Sequence, residues 1–306
     1  MHEIRRRERS GLQSAHSKRG RVTPGEGTGD TGWPPAEAEQ EKGIMRTGIS
    51  VAVITKNEED RLPDCLKSAG FADEILVVDS GSTDSTLEVA ESLGARTLLE
   101  PWRGFSAQKQ FAVDRCLHDW VLILDADERI PPGTAQTIDE EISGGAPGIA
   151  AFSFRRKNYL HGRWIRHCGW WPDPVVRLVD RRKGKFDGRV VHERWVSEGR
   201  VKGLTVPIEH LSFRNYSELV DKMERYSNLA ARDLFEKGAS VNALTPIGHG
   251  LGMFIKTYFL ECGFMDGFDG FTIATMNAGG SFLKYAKLRE LIRTVRRGKV
   301  AGDPQP

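Results

Sequence analysis

The chain has 306 residues, with 44 Lys plus Arg against 42 Asp plus Glu and a net charge of +2. That length suits one large or two small domains, and so even a balance argues against a protein that coats nucleic acid. The near-zero total hides opposed blocks, because residues 48–141 carry nineteen acids against eight bases and residues 155–202 carry fourteen bases against five acids. Cys65, Cys116, Cys168 and Cys262 are widely spaced with no CxxC pair, which fits neither a zinc knuckle nor a disulfide framework and suits a reducing cytoplasm.

Residues 1–47 are rich in Gly, Pro, Thr and Glu. Such a composition buries too little apolar surface to offset the entropy of ordering, so a disordered tail is expected. No apolar run follows its basic opening, so it is not a secretory signal. Met45, just ahead of the first strand-like run, is an alternative translation start.

From residue 49 short β-branched runs alternate with segments of helical period, the pattern of βαβ units in a mostly parallel sheet. Strands are expected at 49–55, 74–79, 95–100, 120–125 and 149–154, with helices near 58–69, 84–93, 104–117 and 132–143. Ser82 and Asp84 are N-cap types for the second helix. Ligands in open sheets of this kind sit beyond the carboxyl ends of the strands. Those ends read TKNEE, DSGSTD, PWRGF and DADE.

The sharpest signal is Asp125-Ala-Asp127-Glu128 after the apolar run WVLIL. Two carboxylates at a strand end can hold a hard divalent cation, which in turn binds diphosphate oxygens. An isolated pair of this kind more often serves a turn. Here Asn57, Glu58, Asp79 and Asp84 end or follow neighbouring strands, so several acids converge on one sheet edge and need a cation or a positively charged partner beside them. Neither a G-x-G-x-x-G turn nor a P-loop is present, which removes dinucleotide and P-loop chemistry.

After residue 155 come a basic, Trp-rich stretch, a strand VVRLVD and a strand pair around 190–210. A long helix from about 215 follows, with Met223, Tyr226, Leu229 and Leu234 read as packing positions. His161, His167 and His210 are read as core or hydrogen-bonding histidines rather than metal ligands. The C-terminal part joins aromatic residues (Phe254, Tyr258, Phe259, Phe264, Phe268, Phe271) to the basic segment 284–299, a pairing suited to an anionic membrane surface. A packed helix pair or a dimer contact is the plain alternative.

TKNE, VVDSGSTDST, WRGFSAQKQ and VLILDADE, in this order, resemble family 2 glycosyltransferases with a GT-A fold. The continuation WWPDPVVRLVDRRKGKFDGRVVHERW and the following PIEHLSFRNYSE resemble the subgroup that adds glucose to heptose in the lipopolysaccharide core. The likeness covers about residues 48–240. It implies an α/β GT-A catalytic domain over 48–212 with a helical region over 213–306, and a nucleotide-sugar donor, UDP-glucose. It further implies a divalent cation (Mg²⁺ or Mn²⁺), inversion, a lipid-linked saccharide acceptor and a cytoplasmic site on the inner face of the plasma membrane.

Carried over by position, Asn57 and Glu58 fall near the nucleoside, Asp79 and Asp84 near the uracil or ribose, and Asp125 toward the ribose and donor sugar. Asp127 then contacts the metal, with Asp125 beside it, and Lys109 meets donor phosphates or is an ordinary surface lysine. The Glu-Asp pair that supplies the base in many relatives is absent from the comparable downstream stretch, where His192-Glu193 stands. Glu193 of His192-Glu193 is the expected base, with Asp173 as rival. Arg155, Arg177, Trp170 and Trp171 are candidate acceptor contacts. Alternatives are transfer to another polyprenyl- or protein-linked acceptor, and a non-catalytic saccharide-binding protein of envelope assembly.

Overall fold

Strand β1 (Ile49–Thr55) is buried almost throughout, because helices cover both faces of a β-branched run. The computed structural model describes residues 47–188 and 193–301, with side chains as far as residue 295. The expectations for residues 1–46 and for His192 therefore lie outside the described residues.

The first half is a run of right-sized βαβ units. From β1 the chain passes through α1 (Leu62–Ser68), β2 (Glu74–Asp79), α2 (Thr86–Ser92), β3 (Arg96–Leu99) and α3 (Phe105–Arg115) to β4 (Trp120–Asp125). The sheet order here is β3-β2-β1-β4, all parallel. Register puts Thr55 opposite Asp79 and Ile54 opposite Asp125, so the polar strand ends lie level on one edge. The first two helices are shorter than their patterns suggest because residues 56–61 and 80–85 are spent on turns.

Beyond β4 the direction changes. β5 (Glu128–Arg129), α4 (Pro132–Ser143), β6 (Ile149–Leu160), β7 (Arg163–Trp164), β8 (Asp173–Asp180), β9 (Gly184–Phe186), β10 (Trp195–Ser197) and β11 (Arg200–Phe213) follow. They extend the sheet as β4-β8-β6-β11-β5, with β8 antiparallel to both neighbours and β11 parallel to β6. The two-residue strand β5 has no period to betray it in the sequence. It matters because it folds the DADE turn back onto β11, pairing Glu128 with His210.

Side chains alternate across the sheet as the pleat requires. Val51, Val53, Leu122, Leu124, Phe152 and Leu178 pack under α1 and α4, while Ala52, Val121, Ile123 and Val179 pack with Ala112 and Val113 of α3. Each such large side chain contributes about 1.5–3 kcal/mol by leaving water.

The helical region comprises α5 (Tyr216–Glu236), α6 (Thr245–Ile255), a π-type turn over Lys256–Leu260 and α7 (Gly267–Ala301). Asn215 caps α5 by accepting from the Glu218 N–H at 3.0 Å. A side chain on Gly280 would sit 3.0 Å from Met223 Cγ, so the glycine sets how closely α7 meets α5. Two buried aspartates fasten the region to the sheet. Asp269 receives Tyr216 at 2.6 Å, His161 at 2.8 Å and Arg163 at 2.7 Å, and Asp266 receives the His167 N–H at 2.8 Å. His161 is thus a hydrogen-bonding histidine, whereas His167 bonds through its backbone N–H and its ring Nδ1 stands 3.3 Å from Asp266. Among the described residues no helix is long and apolar enough to cross a membrane.

Candidate active site

The turn after β2 is built around Asp79. Its carboxylate is fully buried and accepts from the Gly81 and Ser82 N–H groups at 2.8 and 2.7 Å, from Thr55 at 3.1 Å and from the Ser82 hydroxyl. The turn after β1 is stitched to it. Asn57 Oδ1 accepts from the Thr83 N–H at 2.8 Å, Asn57 N–H donates to Ser82 at 2.8 Å, and Glu58 N–H donates to Thr86 at 2.9 Å. Asp84 accepts from the Glu59 N–H at 3.3 Å and from Thr86, which holds its carboxyl below the usual carboxylate range. These acids therefore shape the two turns, and Asp79 has no oxygen left over for a nucleoside. Asn57 and the carboxylate of Glu58 remain on the open side. Burial pushes the Glu58 carboxyl up, and the nearby Asp127 adds to the rise.

The acids after β4 meet cations supplied by the chain itself. Asp125 takes Lys109 on Oδ1 at 3.0 Å and Arg177 on Oδ2 at 2.6 Å. Burial alone would raise its carboxyl, but Arg177 and Lys109 outweigh that and hold it far below the usual range. Glu128, fully buried, takes Arg177 at 2.7 Å and Arg156 at 3.5 Å. For Asp125 and Glu128 the positively charged partner is supplied by the chain itself. Each Asp125 oxygen therefore already carries one such cation.

Lys109, only 3% exposed, is not a surface lysine. Its ammonium lies 3.0 Å from Asp125 and 3.0 Å from Glu193, so it bridges two carboxylates instead of waiting for phosphate. Arg177 is buried on Asp125 and Glu128 and so is not an acceptor contact. Arg155 is exposed, with its neighbour Arg156 turned to Glu128 and Asp173 instead.

Asp127 differs from Asp125. Its Oδ2 lies 3.3 Å from His210 Nε2, and the imidazole is oriented from its other nitrogen by Asn158 Oδ1 at 2.6 Å and Ser212 at 2.9 Å. Burial raises the Asp127 carboxyl, but the hydrogen bond from His210 prevails and lowers it. A hard carboxylate beside an imidazole, both partly open to solvent, can hold a divalent cation whose remaining positions go to water and phosphate oxygens. Among the described residues no group of three or more His, Cys, Asp or Glu is placed to hold a metal ion. Residue-type and spacing rules had no means of pairing His210 with Asp127. The antiparallel return of β5 onto β11 makes that pair.

His210 and Asp173 open onto a cavity of about 610 Å³ between β6, β11, α5 and α7. Asp173 Oδ2 is occupied by Arg156 at 2.6 and 2.9 Å and by Asn158 at 3.2 Å. Trp170 lines the cavity against Phe213, ring centres 5.8 Å apart, whereas Trp171 packs edge-on against Trp164 at 5.3 Å outside it. Met223 and Tyr226 face the cavity too, which corrects their assignment to packing alone.

Residues 50–198 match the Glycosyl transferase family 2 model. The lipopolysaccharide core biosynthesis glycosyltransferase LpsC of Rhizobium meliloti is 32% identical over 257 residues, covering 80% of this chain and 93% of that protein. The chain belongs to glycosyltransferase family 2. An uncharacterized glycosyltransferase of Rickettsia typhi, RT0209, is 31% identical, covering 79% of this chain and 87% of that one. Among solved structures, glucosyl-3-phosphoglycerate synthase from Mycobacterium tuberculosis, in complex with Mn²⁺, uridine diphosphate and glucosyl-3-phosphoglycerate, aligns with a TM-score of 0.41. It is 17% identical, with 64% of this chain and 82% of that chain covered. The GT-A architecture expected for the family is the one described above: a mostly parallel α/β sheet with a helical C-terminal region.

Proposed function

We propose that this glycosyltransferase moves one sugar, glucose, from UDP-glucose to a lipid-linked saccharide such as the lipopolysaccharide inner core, with inversion. The observation that carries it is the Asp127–His210 pair at the mouth of a large cavity, next to the Asp125–Lys109–Glu193 bridge. The acceptor class is suggested by the name of LpsC. Asn57 and Glu58 would border the nucleoside, and Asp125, fixed by two cations, would face the ribose and sugar.

Asp127 and His210 would hold a divalent cation, Mg²⁺ or Mn²⁺, whose charge offsets the diphosphate leaving group. For inversion an acceptor hydroxyl oxygen bonds to the anomeric carbon while the bond to the diphosphate breaks on the opposite side. The hydroxyl proton must pass to a carboxylate in the transition state. We assign that role to Glu193. It stands one ammonium away from Asp125, with Lys109 at 3.0 Å, whereas Asp173 spends its Oδ2 on Arg156 and Asn158.

The helical region suits adhesion to an anionic membrane surface on the cytoplasmic side. Ile247, Leu251 and Ile255 follow one face of α6 and are exposed, and Leu260 and Phe268 are 75% and 72% exposed. Arg289 and Arg293 stand beside Ile247. Apolar insertion and cationic attraction then act together.

The assay is transfer of labelled glucose from UDP-glucose to a lipopolysaccharide fraction, alongside UDP titration calorimetry with Mn²⁺. E193Q should bind UDP like the parent and lose transfer. Normal transfer by E193Q together with loss in D173N would move the base to Asp173, and no binding of UDP by the parent would end the donor assignment.

A further inference from the structure

The cavity that begins at His210 and Asp173 contains two lysines that the donor chemistry leaves unexplained. Lys222 and Lys284, from α5 and α7, both line it. Lys222 lies 4.7 Å from the Phe213 ring and 5.8 Å from the Tyr226 ring, and Lys284 lies 4.5 Å from the Tyr285 ring. Among the described residues neither forms an ion pair with a carboxylate. The contrast with the rest of the site is marked, because Lys109, Arg156 and Arg177 are each held by acids.

An ammonium drawn into a protein wall without a counter-ion carries a desolvation cost that aromatic faces offset only in part. Burial accordingly pulls the Lys222 ammonium below its ordinary range. Asp127 and Asp125 act on Lys222 through charge alone, without an ion pair, and Asp173 in the lining is already taken by Arg156. An anion arriving in the cavity would meet two ammonium groups that, among the described residues, no carboxylate pairs with. The deeper wall carries Met223, Met253 and Met276, which are adaptable apolar surfaces, and the volume of about 610 Å³ has room for more than a monosaccharide.

We propose that Lys222 and Lys284 form an anion subsite of the acceptor cavity, binding a phosphate or carboxylate substituent on the acceptor saccharide. This rests on the glycosyltransferase site assigned above, with the donor at Asp127. The same oxyanion chemistry could be offered by the donor diphosphate, so the test has to separate the two sources.

Glucose 6-phosphate and glucose serve as charged and neutral probes, titrated into the full chain saturated with UDP and Mn²⁺. The parent should bind glucose 6-phosphate about tenfold or more tightly than glucose, the size expected from one charge-assisted contact. K222Q/K284Q should lose that preference and K222R/K284R should keep it, with UDP affinity within about twofold of the parent throughout and thermal melting confirming the fold. Equal binding of the two probes by the parent, or an unchanged preference in K222Q/K284Q, overturns the subsite. A tenfold loss of UDP affinity in K222Q also overturns it, because the lysine would then serve the donor. If the parent binds no UDP, the donor assignment fails on its own, and the probe titration without UDP still decides the lysines.

Discussion

His210 Nε2 lies 3.3 Å from Asp127 Oδ2, although 83 residues separate them in the chain. The pair exists because β5 turns the segment after β4 back against β11. Asn158 and Ser212 fix the ring from its far nitrogen, as the outer contacts of a metal-binding histidine commonly do. D127A should abolish Mn²⁺-dependent UDP binding, and H210A should weaken it about 10- to 100-fold, as measured by calorimetry. Chelation with EDTA should lower UDP affinity in the parent and leave D127A unchanged. Because the ligands must be deprotonated, acidification should weaken Mn²⁺-dependent binding. Equal UDP affinity with and without metal would refute the assignment.

Lys109 is a sharper test of the donor side. Replacing it by methionine leaves Asp125 and Glu193 facing each other across the volume that the ammonium held. Losing one member of a buried ionic cluster costs about 3–5 kcal/mol, of which Arg177 should recover part by staying on Asp125. K109M is therefore expected to lower unfolding free energy by about 2–4 kcal/mol in denaturant titration. K109M/E193Q should regain part of that loss, since one of the two facing charges is gone, giving a non-additive cycle. Strict additivity would mean that the bridge is not formed in solution.

The strands and the acidic edge were legible because they are local. A buried parallel strand writes itself as an apolar run, and Asp79, Asp125 and Asp127 mark strand ends by position. The partners of those acids were not legible, for a physical reason. Lys109 reaches Asp125 from α3, and Arg177 and His210 reach their acids across the sheet, contacts that no periodicity records. The same limit applies to α5. A helical stripe shows which residues share a face, so Met223 and Tyr226 belonged together, but whether that face meets a core or a cavity depends on the approach of α7 at Gly280.

Asp180 offers a stability measurement away from the site. Burial raises its carboxyl, but hydrogen bonds from Arg182 and Lys183 prevail and lower it to about 2. A carboxyl depressed in the folded state stabilises fully above its unfolded value, near 3.9 for aspartate, and loses that contribution as pH falls toward the folded value. Arg182 and Lys183 are exposed at 58% and 40%, so the contribution is discounted to about 1–2 kcal/mol. D180N should lose this amount at pH 7. The difference from the parent should shrink between about pH 4 and pH 2, as followed by denaturant unfolding. A difference that stays constant down to pH 2 would show that the ion pairs contribute nothing.

The exposed apolar side chains of α6 and of the start of α7 make the localisation testable without the reaction. Leu251 is 60% exposed and Phe268 is 72% exposed, so glutamate at either should leave the folded core intact. On a bilayer the outcome differs, because each large side chain that inserts contributes about 1.5–3 kcal/mol and a carboxylate in its place is repelled by anionic headgroups. The parent is expected to float with vesicles of phosphatidylglycerol and phosphatidylethanolamine, and less with neutral phosphatidylcholine. L251E/F268E should stay in the soluble fraction while melting like the parent. R289Q/R293Q should keep residual binding that no longer depends on salt, since insertion remains when attraction is removed. Unchanged flotation of L251E/F268E would show that this face does not meet the membrane.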